Sequence, residues 1–224
     1  MTTYVLIPGA ASDSWYWHLL TAELRARGHD VVAPDLPCED DSAGLSEYAD
    51  VVVDAIGDRT DLVVVAVSFG GFTAPLVCVR VPVELLVLVT AMVPTPGEPP
   101  GDWFANTGWV RDERDERDDD VDVFLDGVSP ELAAEATRRV RRQSETPSTE
   151  PWPLHAWPDV PTRFLLCRDD RFFPAEFMRR VVRKRLGIAP DEIDGGHAVA
   201  LSHPGQLADR LEAYRTALPR SPQA

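Results

Sequence analysis

Lysine is nearly missing from this sequence. Of its 22 basic residues only Lys184 is a lysine, so Schiff-base chemistry has a single possible carrier. Cysteine is scarce as well. Cys38, Cys78 and Cys167 are odd in number and widely spaced, with no CxxC, which excludes a disulfide scaffold and a cysteine zinc site. Positive charge is in deficit: 22 basic against 37 acidic residues leave a formal net charge of −15. Such a surface repels phosphates, so neither nucleic acid nor an anionic membrane surface is an expected partner. No apolar run approaches the length of a membrane span. No HExxH, GxGxxG or Walker motif occurs, so no metal and no cofactor is implied. The opening Met1-Thr2-Thr3 has no basic stretch and no cleavage site before the apolar run. The expectation is a chain without a secretory signal, with reduced thiols, in the cytoplasm.

What is present is enough for one large core: 224 residues, 44% of them hydrophobic. Tyr4–Ile7 reads as a buried strand broken by Pro8-Gly9. A helix is expected from about Trp15 to Arg27, stopped by Gly28. Val31–Ala33 is a second strand and Leu45–Ile56 a helix. Leu62–Val67, almost all valine, is a central strand. Ser68-Phe69-Gly70-Gly71 then opens a helix to about Val79, with a kink expected at Pro75. Leu85–Val89, Phe164–Cys167 and a short stretch around 188–193 complete six strands. Helices are expected near Glu176–Leu186 and Gly205–Leu218, and the tail from Arg220 should fray. The alternation predicts an α/β fold, a mainly parallel six-stranded sheet flanked by helices. It is interrupted once. Residues 94–159 are Pro-rich and charged and hold four of the six tryptophans. They are expected to form a helical cap inserted after the fourth strand, leaving 1–93 and 160–224 as the core. Within the insert, Pro130–Arg142 is the clear amphipathic helix.

Ser68 ends a valine-rich strand and opens a helix, the setting of a nucleophile elbow. Its neighbours must be small because strand and helix nearly touch there, and Gly70 and Gly71 are. The helix start adds N–H groups and a dipole favouring a developing oxyanion. The bland alternative is a serine that only caps a helix. A serine nucleophile needs a base and an orienting carboxylate, in the order Ser, Asp, His. Among five histidines, His18 and His29 sit in or beside a helix, His203 precedes a helix start, and His155 lies among the tryptophans of the insert. His197 follows Gly195-Gly196 after the last strand, where a catalytic base belongs. Phe164–Cys167 delivers Asp169 and Asp170 at its end, and only one of the two can face the imidazole. The N–H groups of Phe69 and Ala10 are the expected oxyanion donors.

These residues resemble the α/β-hydrolase superfamily, and within it small bacterial α/β-fold hydrolases related to plant methylesterases and hydroxynitrile lyases. The likeness runs through Val5-Leu6-Ile7-Pro8-Gly9-Ala10, Trp15-Tyr16-Trp17 and Gly28–Leu36. It continues in Ser68–Pro75, Val93–Gly97, Asp170-Arg171-Phe172-Phe173-Pro174 and Gly195–Leu201. The superfamily's acid sits in an Asp-x-x-x-Pro turn, so the resemblance implies Asp170, with Asp169 as the alternative. The chain departs from the pattern at Ala66 and Val67, where the family usually has Gly and His, and at Pro8-Gly9, where it has His-Gly. The lyases carry Thr at Gly9 and Lys at Ala198. Losing that cation implies an esterase rather than a lyase.

The expected reaction is acyl transfer, with catalytic Ser68, His197 and Asp170. A neutral imidazole is required, so activity falls in acid. The tryptophans imply a small apolar or aromatic substrate, with Gly9, Trp103, Trp109, His155 and Trp157 as candidate substrate-binding residues, although tryptophans that merely pack the insert on the core are the plainer reading for at least two. The expected partner is a small molecule, and the expected assembly a monomer or homodimer. The alternatives are a non-hydrolytic biosynthetic enzyme on the same fold (cyclase, epimerase, dehydratase or lyase) and a non-catalytic ligand-binding homologue. The run Arg111–Asp120 reads as a solvated, mobile face of the cap.

Overall fold

The computed structural model describes residues 1–110 and 123–218. The charged run Arg111–Asp120 and the tail from Arg220 lie outside the described residues. Six strands, β1 (Thr3–Ile7), β2 (Asp30–Val32), β3 (Leu62–Val67), β4 (Leu85–Val89), β5 (Thr162–Cys167) and β6 (Asp191–Ile193), form one sheet in the order β2-β1-β3-β4-β5-β6. Every pairing is parallel.

The strands are buried on both faces, which is why they read as continuous apolar runs rather than alternating ones. Val5, Ile7, Val64, Ala66, Leu86 and Leu88 face one layer of helices: α2 (Leu45–Ile56), α3 (Gly70–Cys78) and α7 (Ala175–Leu186). Tyr4, Leu6, Val63, Val65, Val87 and Val89 face the other: α1 (His18–Ala26), α8 (Val199–Ser202) and α9 (Pro204–Thr216). Between β4 and β5 lie α4 (Trp103–Thr107), α5 (Pro130–Arg138) and α6 (Thr146–Thr149). No helix among the described residues is long and apolar enough to cross a membrane.

Several boundaries differ from the sequence expectation, each for a local reason. The first helix begins as a 3-10 turn, Ser14–Trp17, because the Asp13 carboxylate accepts from Trp15 N–H and starts the chain tighter. The helix expected to reach Arg142 stops at Arg138. Beyond it the chain bonds to Ala11 instead, with Arg141 N–H on the Ala11 carbonyl and the Gln143 side chain accepting from Ala11 N–H. β6 starts only at Asp191, since Pro190 has no N–H to give the ladder. Helix α8 was not expected at all; Pro204 separates it from α9.

Two contacts hold the layers. At the β3–α3 corner, a Cβ on Gly70 would lie 2.7 Å from the Pro8 carbonyl oxygen, and one on Gly71 only 1.9 Å from that of Met92. Neither obstacle is a flexible side chain. The second contact is the ion pair of Glu98 and Arg185, both nearly inaccessible, with Arg185 Nη2 2.8 Å from Glu98 Oε1. Asn106 also donates to Glu98, and Arg185 donates to the Val93 carbonyl. The pair therefore ties the chain leaving β4 to α4 and α7. Burial alone pushes the Glu98 carboxyl up, but the hydrogen bonds of Arg185 and Asn106 outweigh it and leave the group below its ordinary value.

Two outcomes follow for stability. Gly71→Ala should overpack the corner and destabilise by about 1–3 kcal/mol or more in urea unfolding. Arg185→Met should cost about 3–5 kcal/mol, because it strands a buried carboxylate. A carboxyl held low in the folded state favours folding above its unfolded value. That contribution drains as pH falls through the folded value, so the gap between wild type and Arg185→Met should narrow in acid.

Candidate active site

Chain order places the site. β1 leads outward to β2, whereas β3 leads the other way to β4, so a crevice opens at the carboxyl ends of β1 and β3. The register of Ile7 on Ala66 and Val67 on Val89 brings Pro8-Gly9, Ser68 and Thr90 side by side just past those ends.

Ser68 stands at φ +52°, a left-handed backbone that non-glycine residues seldom adopt. Its carbonyl accepts from Gly71 N–H at 3.1 Å and from Met92 N–H at 2.9 Å, which holds the turn. The side chain faces a cavity of about 400 Å³ that Gly9, Ala10 and His197 also line. A Cβ on Gly9 would stand 3.1 Å from Ser68 Cβ and 3.6 Å from its Oγ, so glycine brings the backbone of the β1 turn close to the serine. The N–H groups of Ala10 and Phe69 carry no hydrogen bond among the described residues.

His197 reaches the same cavity from the loop after β6. Gly195 takes φ +113° there, and a Cβ on Gly196 would meet the Asp126 carbonyl at 2.7 Å. The imidazole Nδ1 lies 2.9 Å from Asp170 Oδ2, and both side chains are buried. Its Nε2 is buried too and has no hydrogen-bond partner among the described residues. Asp170 is itself fixed. Its Oδ1 accepts from Phe172 N–H at 2.9 Å and Phe173 N–H at 2.8 Å, the N–H groups of the turn leading to Pro174. Asp169 is exposed and accepts from Gly195 N–H at 3.0 Å, so it braces the histidine loop rather than facing the ring.

The other candidates fall elsewhere in the structure. Of the expected substrate-binding set, Gly9 lines the cavity; Trp103, Trp109, His155 and Trp157 do not. Trp103 is fully buried among core aromatics and donates to the Val93 carbonyl. Trp109 donates to the Phe172 carbonyl and packs on Phe104. Trp157 donates to Thr162 and leans on Trp152, while His155 is exposed. Indole N–H groups seek a partner when buried, and here backbone carbonyls and Thr162 supply one. Of the remaining histidines, His18 Nδ1 lies 2.7 Å from the Trp15 carbonyl, His29 pairs with Glu212 and His203 with Ser202. None of the cysteines offers a nucleophile: burial pushes the Cys78 thiol up to about 12, and raises Cys38 and Cys167 as well.

Three groups of residues at the site escaped the sequence reading. Thr90 Oγ1 donates to Asp170 Oδ2. Tyr16 lines the cavity and its hydroxyl lies 3.4 Å from the His197 carbonyl; burial raises its pKa and keeps the donor protonated. Phe124, Phe172 and Phe173 surround the imidazole with ring centroids 4.9, 5.4 and 5.3 Å away. Thr90 stands one residue past a strand, beside the serine's strand, and Tyr16, Phe172 and Phe173 stand in stretches already singled out, though none was given a place at the site. Phe124 had no such signal, being distant in sequence from every motif.

The profile described as "Alpha/beta hydrolase family" matches residues 4–210. Among curated proteins, the chain is 24% identical to "Methylesterase 2" of Arabidopsis thaliana over 250 residues, covering 94% of each. It is 27% identical to "Probable esterase PIR7A" of Oryza sativa over 262 residues, covering 93% of this chain and 94% of that one. Among solved structures, an extracellular alpha/beta-hydrolase from a Paenibacillus species superposes with a TM-score of 0.78 at 22% identity, over 99% of this chain and all of the other (100%). Polyneuridine aldehyde esterase gives 0.77 at 20%, over 96% and 99%. These structures share the fold, and with the profile matching almost the whole chain, the protein belongs to the α/β hydrolase family.

Proposed function

We propose that the chain is a serine hydrolase of carboxylesterase type, cleaving an ester or related acyl bond of a small apolar or aromatic molecule. One observation carries the reading. The buried imidazole of His197 is held through Nδ1 by a buried carboxylate, and its unpaired Nε2 lies at the cavity where Ser68 is held at positive φ. In this reading Nε2 takes the Ser68 proton as Oγ attacks the acyl carbonyl. Asp170 fixes the tautomer and steadies the imidazolium. The carbonyl oxygen becomes an anion facing the free N–H groups of Ala10 and Phe69, at the start of α3. His197 returns its proton to the leaving alcohol, and water then releases the acyl group by the same steps in reverse.

The substrate class is read from the walls. A volume of about 400 Å³ falls within the ~300–1,000 Å³ common for small-molecule sites. Trp15, Val67, Phe124, Leu125 and Leu201 make the lining apolar. Arg139 also reaches it, but its charge is taken by Glu135 at 2.7 Å and faces Asp13 at 3.9 Å. Ala198 lines the cavity where a lyase would need a cation. In this reading segment 94–159 is a cap: Phe124, Leu125, Ala136 and Val140, which it contributes, roof the cavity. The relatives named methylesterase and esterase agree with this reaction class.

A fluorophosphonate probe should label wild type at Ser68 and leave Ser68→Ala unlabelled. His197→Ala should lose on the order of 10⁴ in kcat on a panel of aryl and methyl esters. Full ester activity in Ser68→Ala would sink the mechanism. Folded wild-type protein that resists the probe would favour a non-hydrolytic enzyme or a binding protein. Activity should also fall on the acid side, where a protonated His197 cannot accept the serine proton.

A further inference from the structure

Thr90 follows β4 directly and is fully buried. Its backbone stands at φ +39°, a region in which a β-branched residue is an outlier. Glycine would satisfy the turn without that strain. The N–H of Thr90 is fixed to the Leu165 carbonyl at 2.8 Å, so the turn is set by β5 and leaves the side chain no other register. Its hydroxyl donates to Asp170 Oδ2, the same oxygen that faces His197 Nδ1 at 2.9 Å. With Phe172 and Phe173 N–H on Oδ1, the carboxylate accepts from three groups besides the histidine. The strained residue thus places a buried hydroxyl on the carboxylate that faces His197.

We propose that Thr90 is a positioning residue that acts on His197 through Asp170. This rests on the hydrolase reading above. The two backbone donors pin Oδ1, and Thr90 pins Oδ2, so the carboxylate plane is set at both ends and one oxygen stays aimed at Nδ1. The hydroxyl also draws electron density from Oδ2, which moderates the carboxylate's hold on the imidazole proton. Without it, Oδ2 relies on the imidazole alone. The imidazolium is then held more tightly, and it returns its proton to the leaving group more slowly.

The test compares Thr90→Val, Thr90→Ser and Thr90→Gly with wild type and Ser68→Ala. Thr90→Val should lower kcat by about 10- to 100-fold, the range for a lost hydrogen bond to a charged group, with KM nearly unchanged. The acid limb of its pH profile should move to higher pH, and the low-field NMR signal of the His197 Nδ1 proton should shift. Thr90→Ser should restore all three readouts. Thr90→Gly relieves the backbone yet lacks the hydroxyl, so it should fold and still lose activity. If Thr90→Val does not fold, the serine and glycine variants carry the same contrast. A valine or glycine variant matching wild type in kcat, acid limb and Nδ1 signal overturns the proposal, as does a serine variant as impaired as glycine. The two readings fail separately. Wild type unlabelled by the probe defeats the hydrolase reading, whereas the Nδ1 signal reports Thr90 without turnover.

Discussion

Met92 N–H donates to the Ser68 carbonyl across 2.9 Å, and that contact exists only because Gly71 has no side chain to keep the two backbones apart. The helix after β3 consequently lies against the chain leaving β1 on one side and the chain leaving β4 on the other. Ser68 has nowhere to go but a positive φ, with its side chain turned out of the sheet. The opening at Gly9, whose backbone approaches Ser68 from the end of β1, lies beside the same corner. A looser corner would relax the serine into an ordinary helix cap.

Charge in this molecule divides sharply between surface and interior. Among the described residues every aspartate and glutamate but two is at least partly exposed, where water screens it. Those two, Glu98 and Asp170, are taken inside and supplied with donors. Glu98 receives Arg185, Asn106 and Thr95 N–H. Asp170 receives Thr90, His197 and two backbone N–H groups. The difference between them is instructive. Glu98 faces a guanidinium and serves to hold elements together. Asp170 faces mainly neutral donors and an imidazole, and in the proposed mechanism its charge answers a proton arriving on that ring.

Much of this was legible in the sequence because the relevant forces are local. β-Branched runs mark strands buried on both faces, and Leu45–Ile56, Leu62–Val67 and Leu85–Val89 emerge with the boundaries expected. Ser68, Asp170 and His197 could be singled out because each follows a strand and a parallel sheet gathers strand ends at one edge. What escaped depends on partners far along the chain. The end of α5 is decided by Ala11, some 130 residues away in sequence. The abundance of tryptophan in the insert is visible in the sequence, whereas the carbonyls of Val93, Phe172 and Phe72 that accept three of the indole N–H groups are not. The contact of Thr90 with Asp170 is hidden for the same reason: its place after a strand is legible, but nothing near it in sequence states that an aspartate will arrive at its hydroxyl.

The apolar surroundings of His197 raise the stakes for every polar group near it. Three phenyl rings stand within 5.4 Å of the imidazole, centroid to centroid. They exclude solvent from much of the ring and lower the local dielectric, which strengthens the pull of Asp170 and also raises the cost of any charge left unanswered. In water, a missing hydrogen bond is replaced within picoseconds by another. Here it is not replaced. The site must therefore carry its own solvent in fixed form: a carboxylate held by four donors, two N–H groups beside Ser68, and the Tyr16 hydroxyl at the histidine's carbonyl. That dependence explains why strained backbone is retained at both Ser68 and Thr90, since in each case relaxing the chain would withdraw a polar group from a place water cannot fill.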